Sequence, residues 1–166
     1  MSRDASRIAV VDIGSNSVRL LLARGWGPGG PEGERLTTVT GLRRRAAADG
    51  TIVSDALARL DACLAAYAER VRAFAPEHVA AAGTSAVRDA PNRDQVADVV
   101  RVRLGVEIEV LSGDEEARLA FAGARLGVPG PGPIMVVDIG GGSTELVRGD
   151  ADGPAGAVSL QLGVTR

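Results

Sequence analysis

The pentapeptide Val-Val-Asp-Ile-Gly occurs twice, as Val10-Val-Asp-Ile-Gly14 and Val136-Val-Asp-Ile-Gly140, 126 residues apart, each time with a Ser three residues after its Gly. In the first copy apolar runs at 8–11 and 18–23 flank Asp12-Ile-Gly-Ser-Asn-Ser17; in the second, runs at 134–137 and 144–147 flank Asp138-Ile-Gly-Gly-Gly-Ser143. Two short apolar runs joined by a tight polar turn read as a pair of strands. Repetition at this distance points to duplicated domains rather than a solenoid, whose periods are roughly 20–50 residues.

The residues between the copies alternate between strand and helix patterns. The Gly- and Pro-rich stretch 25–33 reads as a loop, and 35–41 as a third strand. A helix is expected over 55–74, where Leu57, Leu60, Leu64, Tyr67, Val71 and Phe74 step by three or four, with Ser54 as its cap and Pro76 at its end. A strand at 78–82 runs into Gly83-Thr-Ser85, and a helix at 93–104 has Asn92 as a candidate cap. A strand at 106–111 precedes a helix at 114–126, opened by Ser112-Gly-Asp-Glu-Glu116 with a capping residue and early acids. A third strand of the second pass falls at 157–162. The expectation is an α/β chain with a first domain at 1–127 ordered β-β-β-α-β-α-β-α, a linker at 128–133, and the opening strands of a second, truncated copy at 134–166. Three strands without covering helices leave an apolar face and edges exposed. The chain is therefore read as a fragment, or as one completed by another copy in a homodimer.

Composition narrows the function classes. With 2% aromatic residues, the core must come from Val, Leu, Ile and Ala. All 19 basic residues are Arg and the net charge is −2, so no nucleic-acid-coating surface is expected. The single cysteine, Cys63, excludes an internal disulfide framework and a multi-cysteine zinc site, and reads as a buried inert thiol. The N-terminus is too polar for a signal peptide, and no apolar run approaches the roughly 20 residues that span a bilayer. No membrane association is expected, and the chain reads as cytoplasmic.

Asp-x-Gly-x-x-Ser between two apolar strands suits an oxyanion site. Gly lets the backbone turn sharply and bring N–H groups close to a ligand, while Ser15, Asn16, Ser17 and Ser143 add side-chain donors. An Asp at the strand end repels phosphate directly but can hold a hydrated divalent cation that bridges to it. An Asp-Gly turn is also ordinary hairpin chemistry, but two near-identical copies, one with three successive glycines, exceed what a turn requires. Glu115-Glu116 can stabilise the helix dipole, Arg88 can pair with Asp89 or Asp94, and His78 reads as a surface loop residue.

Four blocks, Asp12-Ile-Gly-Ser-Asn-Ser17, Gly83-Thr-Ser-Ala-Val-Arg88, Ser112-Gly-Asp-Glu-Glu-Ala-Arg-Leu119 and Asp138-Ile-Gly-Gly-Gly-Ser-Thr-Glu145, resemble in order and spacing the signature blocks of the exopolyphosphatase / guanosine pentaphosphate phosphohydrolase family. Ser159-Leu-Gln-Leu-Gly163 resembles the next block. The resemblance implies ribonuclease H-like domains of the actin / sugar kinase / heat-shock ATPase superfamily, with the site in a cleft between two of them. It implies phosphate binding by Gly14, Ser15, Asn16 and Ser17 and by Gly140, Gly141, Gly142 and Ser143. It places Asp12, Asp138 and Glu145 near Mg2+ or another divalent cation, directs Arg88 at phosphate, and makes Glu116 the group that activates water. The implied reaction releases terminal orthophosphate from inorganic polyphosphate or guanosine pentaphosphate. An ATP-dependent enzyme of the sugar-kinase type and an inactive phosphate-binding fragment are the alternatives. The Gly41-to-Gly50 stretch, with its Arg43–Arg45 triplet, departs from the family's pattern; the triplet can touch a long anionic chain or simply be solvated. Weak or no turnover is expected from the isolated chain.

Overall fold

The computed structural model describes residues 6–27, 30–44, 46–128 and 130–164; residues 1–5 of the polar N-terminus, part of the 25–33 stretch, Arg45, part of the linker and the last two residues lie outside them. The strands are β1 (Arg7–Ile13), β2 (Ser17–Gly27), β3 (Gly30–Val39), β4 (His78–Gly83) and β5 (Ile108–Val110), then β6 (Ile134–Ile139), β7 (Thr144–Asp150) and β8 (Gly153–Leu160). The helices are α1 (Ser54–Phe74), α2 (Ser85–Arg88), α3 (Arg93–Leu104) and α4 (Gly113–Leu126).

The first sheet runs β3-β2-β1-β4-β5, antiparallel from β1 through β3 and parallel from β1 to β4 and β5. It is the mixed sheet expected of a ribonuclease H-like unit, with α2 and α3 forming the crossover that parallel β4 and β5 need. Strand alternation sends Ala9, Val11 and Ile13 into the core, beside Val18, Leu20 and Leu22 of β2. Leu60, Leu64, Tyr67 and Val71 of α1 and Val96 and Val100 of α3 complete it. Tyr67 is anchored by its hydroxyl, which donates to the Val18 carbonyl at 3.1 Å. Cys63 is buried in this core, and burial pushes its thiol pKa up, which suppresses the reactive thiolate.

The second sheet, β6-β7-β8, is an antiparallel meander that repeats β1–β3. It buries the opposite face from the first sheet. In β1 the residues alternating with Asp12 form the core. Around β6 it is the Asp138 side that is covered: Ile134 and Val136 pack with Val147 of β7 beneath Ala117 and Phe121 of α4. Met135, Val137 and Ile139, with Val158 and Leu160 of β8, remain exposed. The apolar face expected from the sequence is thus present, and α4, read as the last helix of the first domain, packs on the second sheet.

Several local expectations change. The 25–33 stretch is not simply a loop: pairing of β2 with β3 continues past a bulge to Trp26↔Pro31 and Gly27↔Gly30. Pro31 is tolerated because β3 is an edge strand. Ser54 does not cap α1; Val53 holds the cap position with no side-chain bond. Asn92 does hold the N-cap position of α3, but without a side-chain cap bond. Its side chain accepts from the Ile52 N–H and donates to the Ile52 carbonyl, both at 3.0 Å, tying α3 to the loop before α1. β5 is shorter than the 106–111 run: Ile108–Val110 runs in register with β4, and Leu111 adds only an N–H bond to the Gly83 carbonyl. β8 starts earlier than 157, at Gly153, directly after the turn. Ser112 caps α4 in a reciprocal capping box with Glu115, as its sequence suggests. Among the described residues no helix is long and apolar enough to cross a membrane.

Candidate active site

The two repeated turns close identically. Gly14 N–H donates to the Ser17 carbonyl at 3.0 Å, and Gly140 N–H to the Ser143 carbonyl at 2.9 Å. A Cβ on either glycine would sit 3.1 Å from that carbonyl oxygen, so the turn favours glycine on contact grounds alone. The turns face each other across one cleft of about 200 Å3. Residues 14–17 line one side, and Gly140, Gly141, Gly142 and Ser143 the other. The strand acids Asp12, Asp138 and Glu145 line it as well, as does Glu116.

Register explains why matching hairpins carry different chemistry. Opposite Asp12 on β2 stands Arg19, whose guanidinium lies 3.6 Å from the carboxylate; opposite Asp138 on β7 stands Glu145. One hairpin therefore presents an acid–base pair and the other two acids. Glu145 is 1% exposed, and its Oε1 accepts a 3.0 Å bond from Ser159 Oγ.

Packing of α4 on β8 brings Glu116 to this place. A Cβ on Gly113 would lie 3.1 Å from Ser159 Cβ, so the first residue of α4 rests on the serine that holds Glu145. Arg88, at the end of α2, reaches Glu116 from the side of the first sheet. Its Nη1 donates to the Leu111 carbonyl at 2.7 Å and to Glu116 Oε2 at 3.2 Å. Arg88 does not line the cleft but stands against Glu116. Asp89 bridges it to Arg43 of the arginine triplet, at 3.7 and 3.6 Å.

The electrostatics are those of crowded carboxylates. Burial holds Glu116 above the usual carboxylate range; the Glu145 charge adds to this, the Arg88 hydrogen bond and charge oppose it, and Asp12 adds a smaller push. Burial also raises Asp12, with Arg19 opposing and Asp138 adding. Four carboxylates around so small a space repel an anionic ligand unless a cation accompanies it. Among the described residues no group of three or more His, Cys, Asp or Glu side chains could hold a metal ion. Asp12 and Asp138, which both line the cleft, are of the type that a hard divalent cation takes as one or two carboxylates, its other positions being filled by water and phosphate oxygens.

Arg19, Thr84 and Ser85 also line the cleft and were not singled out from the sequence. Arg19 was legible by counting back from the turn to the residue opposite Asp12. Ser85 lies within the Gly83-Thr-Ser block, and the β1–β4 pairing, which ends at Ile13↔Gly83 and continues in the 3.3 Å bond from Thr84 N–H to the Ile13 carbonyl, brings it beside the first turn.

Residues 34–166 match the Ppx/GppA phosphatase family model. The chain is 40% identical to exopolyphosphatase 2 of Mycobacterium tuberculosis, an alignment covering 97% of this chain and 53% of that protein. It superposes on the crystal structure of an exopolyphosphatase from Cytophaga hutchinsonii with a TM-score of 0.87 at 30% identity, over 95% of this chain and 51% of the other. For the Aquifex aeolicus Ppx/GppA family member the TM-score is 0.81 at 31% identity, over 96% and 52%. The chain spans about half the length of these relatives. A family model matching four-fifths of its residues, four signature blocks meeting in one cleft and the shared fold identify the chain as a member of the Ppx/GppA phosphatase family.

Proposed function

We propose that this site belongs to a phosphohydrolase that releases terminal orthophosphate from inorganic polyphosphate, with guanosine pentaphosphate as a close variant substrate. The observation that carries the reading is Glu116: a largely buried carboxylate with a raised pKa, on the rim of a cleft between two matching glycine turns. The exopolyphosphatase relatives support the substrate class.

Hydrolysis of a phosphoanhydride needs an aligned water, a group to take its proton, and positive charge on the phosphoryl oxygens. In this reading the turn at 14–17 and the turn at 140–143 cradle the phosphoryl groups with backbone N–H and Ser hydroxyls. Glu116 accepts the proton of the attacking water, and its raised pKa strengthens it as a base near neutral pH. Arg88 holds that carboxylate in place and limits its pKa rise, and Arg19 adds positive charge. Asp12 and Asp138, with Glu145 nearby, would hold Mg2+, which supplies charge neutralisation for the phosphates when bound. The division at 1–127, 128–133 and 134–166 belongs to the same reading, with α4 as the element joining the two units.

The test is binding of inorganic polyphosphate by the chain, with Mg2+ and with a chelator, alongside orthophosphate release from polyphosphate and from guanosine pentaphosphate. Cation-dependent binding is expected, and the relative rates give the substrate preference. Absence of polyphosphate binding with Mg2+ would overturn the reading.

A further inference from the structure

Ser15 and Ser85 come from segments 70 residues apart, are 4% and 2% exposed, and place their Oγ atoms 3.2 Å from each other. That contact is the only hydrogen bond either side chain makes among the described residues. Two hydroxyls carry two protons, and one bond between them uses one. Among the described residues no side-chain bond takes up the other proton, although both residues are buried and both line the cleft. A buried donor without a partner is costly, and a site facing an anion relieves that cost when the ligand arrives. Gly142 of the second turn passes directly over the pair: a Cβ there would lie 2.5 Å from Ser85 Oγ and 2.6 Å from Ser15 Oγ. The pair therefore sits where the two phosphate turns meet.

We infer that Ser85 is a further oxyanion-binding residue, donating its hydroxyl to a phosphoryl oxygen beside Ser15. This rests on the phosphate-site reading above. In this structure the two hydroxyls bond to each other. When a phosphoryl group enters, each turns its proton to a phosphate oxygen, so the pair supplies two donors in place of one internal bond. Ser85 is the first residue of α2, after the N-cap Thr84, and its hydroxyl bonds Ser15 rather than the helix.

The experiment is calorimetric titration of the chain with orthophosphate in Mg2+, combined with thermal melts, for the unmodified protein, Ser85→Ala, Ser15→Ala and the double variant. Ser85→Ala is expected to weaken orthophosphate about fivefold, or about 1 kcal/mol, both alone and in the Ser15→Ala background. Ser85→Cys, which keeps the side chain's shape with a somewhat larger atom and is a weak donor, is expected to match it. Unchanged affinity in Ser85→Ala with a lowered melting temperature would overturn the inference and leave Ser85 as packing. An effect that vanishes in the Ser15→Ala background would overturn direct contact. An unmodified chain that binds no orthophosphate would overturn both this inference and the phosphate-site reading beneath it.

Discussion

Arg88 and Glu145 act on Glu116 in opposite directions, and that opposition is open to experiment. The Arg88 guanidinium favours the ionised form of Glu116, whereas the Glu145 charge disfavours it. If Glu116 must be ionised to accept a proton, the acid limb of the kcat/KM profile follows its pKa. Arg88→Gln removes a stabilising charge, so the limb should move to higher pH. Glu145→Gln removes a repelling charge, so it should move to lower pH. Profiles measured on both variants check this; shifts of the same sign would separate Glu116 from the titrating group. The same geometry changes how Arg88 is read. The resemblance directs it at phosphate, whereas its observed partners are Glu116, the Leu111 carbonyl and Asp89.

At the scale of elements, α4 is the hinge of the arrangement, because it carries Glu116 and lies on the second sheet. Phe121, 2% exposed, with Ala117 and Val147 forms the small cluster that fixes it there. Phe121→Ala should cost about 3–5 kcal/mol, and Ser112→Ala about 1 kcal/mol through the lost cap. Denaturant melts measure both, and hydrogen exchange should show the Phe121 variant loosening β6–β8 and α4 ahead of the first sheet. The sequence was clear about α4 itself, since Ser112 and Glu115 form the capping box their spacing suggests. It could not say which sheet α4 covers, because helical periodicity identifies an apolar face and not the surface it meets. Both hairpins were legible because glycine turns between apolar runs have few alternatives. α2 escaped because four residues, Ser85–Arg88, are too few to show a period. The β3 register escaped because Gly and Pro disguised paired backbone as loop.

Across the whole molecule, the repeat that organises the sequence yields two hairpins that bury opposite faces. The face of the second sheet equivalent to the core of the first exposes Met135, Val137, Ile139, Val158 and Leu160, with Val137 at 53% and Ile139 at 64%. An apolar surface of this kind favours association. Sedimentation should show self-association of the chain that grows with concentration and is reduced by Val137→Lys with little change in melting temperature. The cleft depends on both hairpins at once, since one supplies Asp12, Arg19 and the 14–17 turn, and the other Asp138, Glu145 and the glycine triplet. The most direct measurement of their joint action is single-turnover release of orthophosphate from inorganic polyphosphate in Mg2+, with protein in excess, for the unmodified chain and Glu116→Gln. Release that is slow in the unmodified chain, and slowed at least about 100-fold further in the variant with polyphosphate still bound, is the expected result. Equal rates in the two proteins would contradict the assignment of Glu116 as the base at the rim of the cleft that the two repeated turns line.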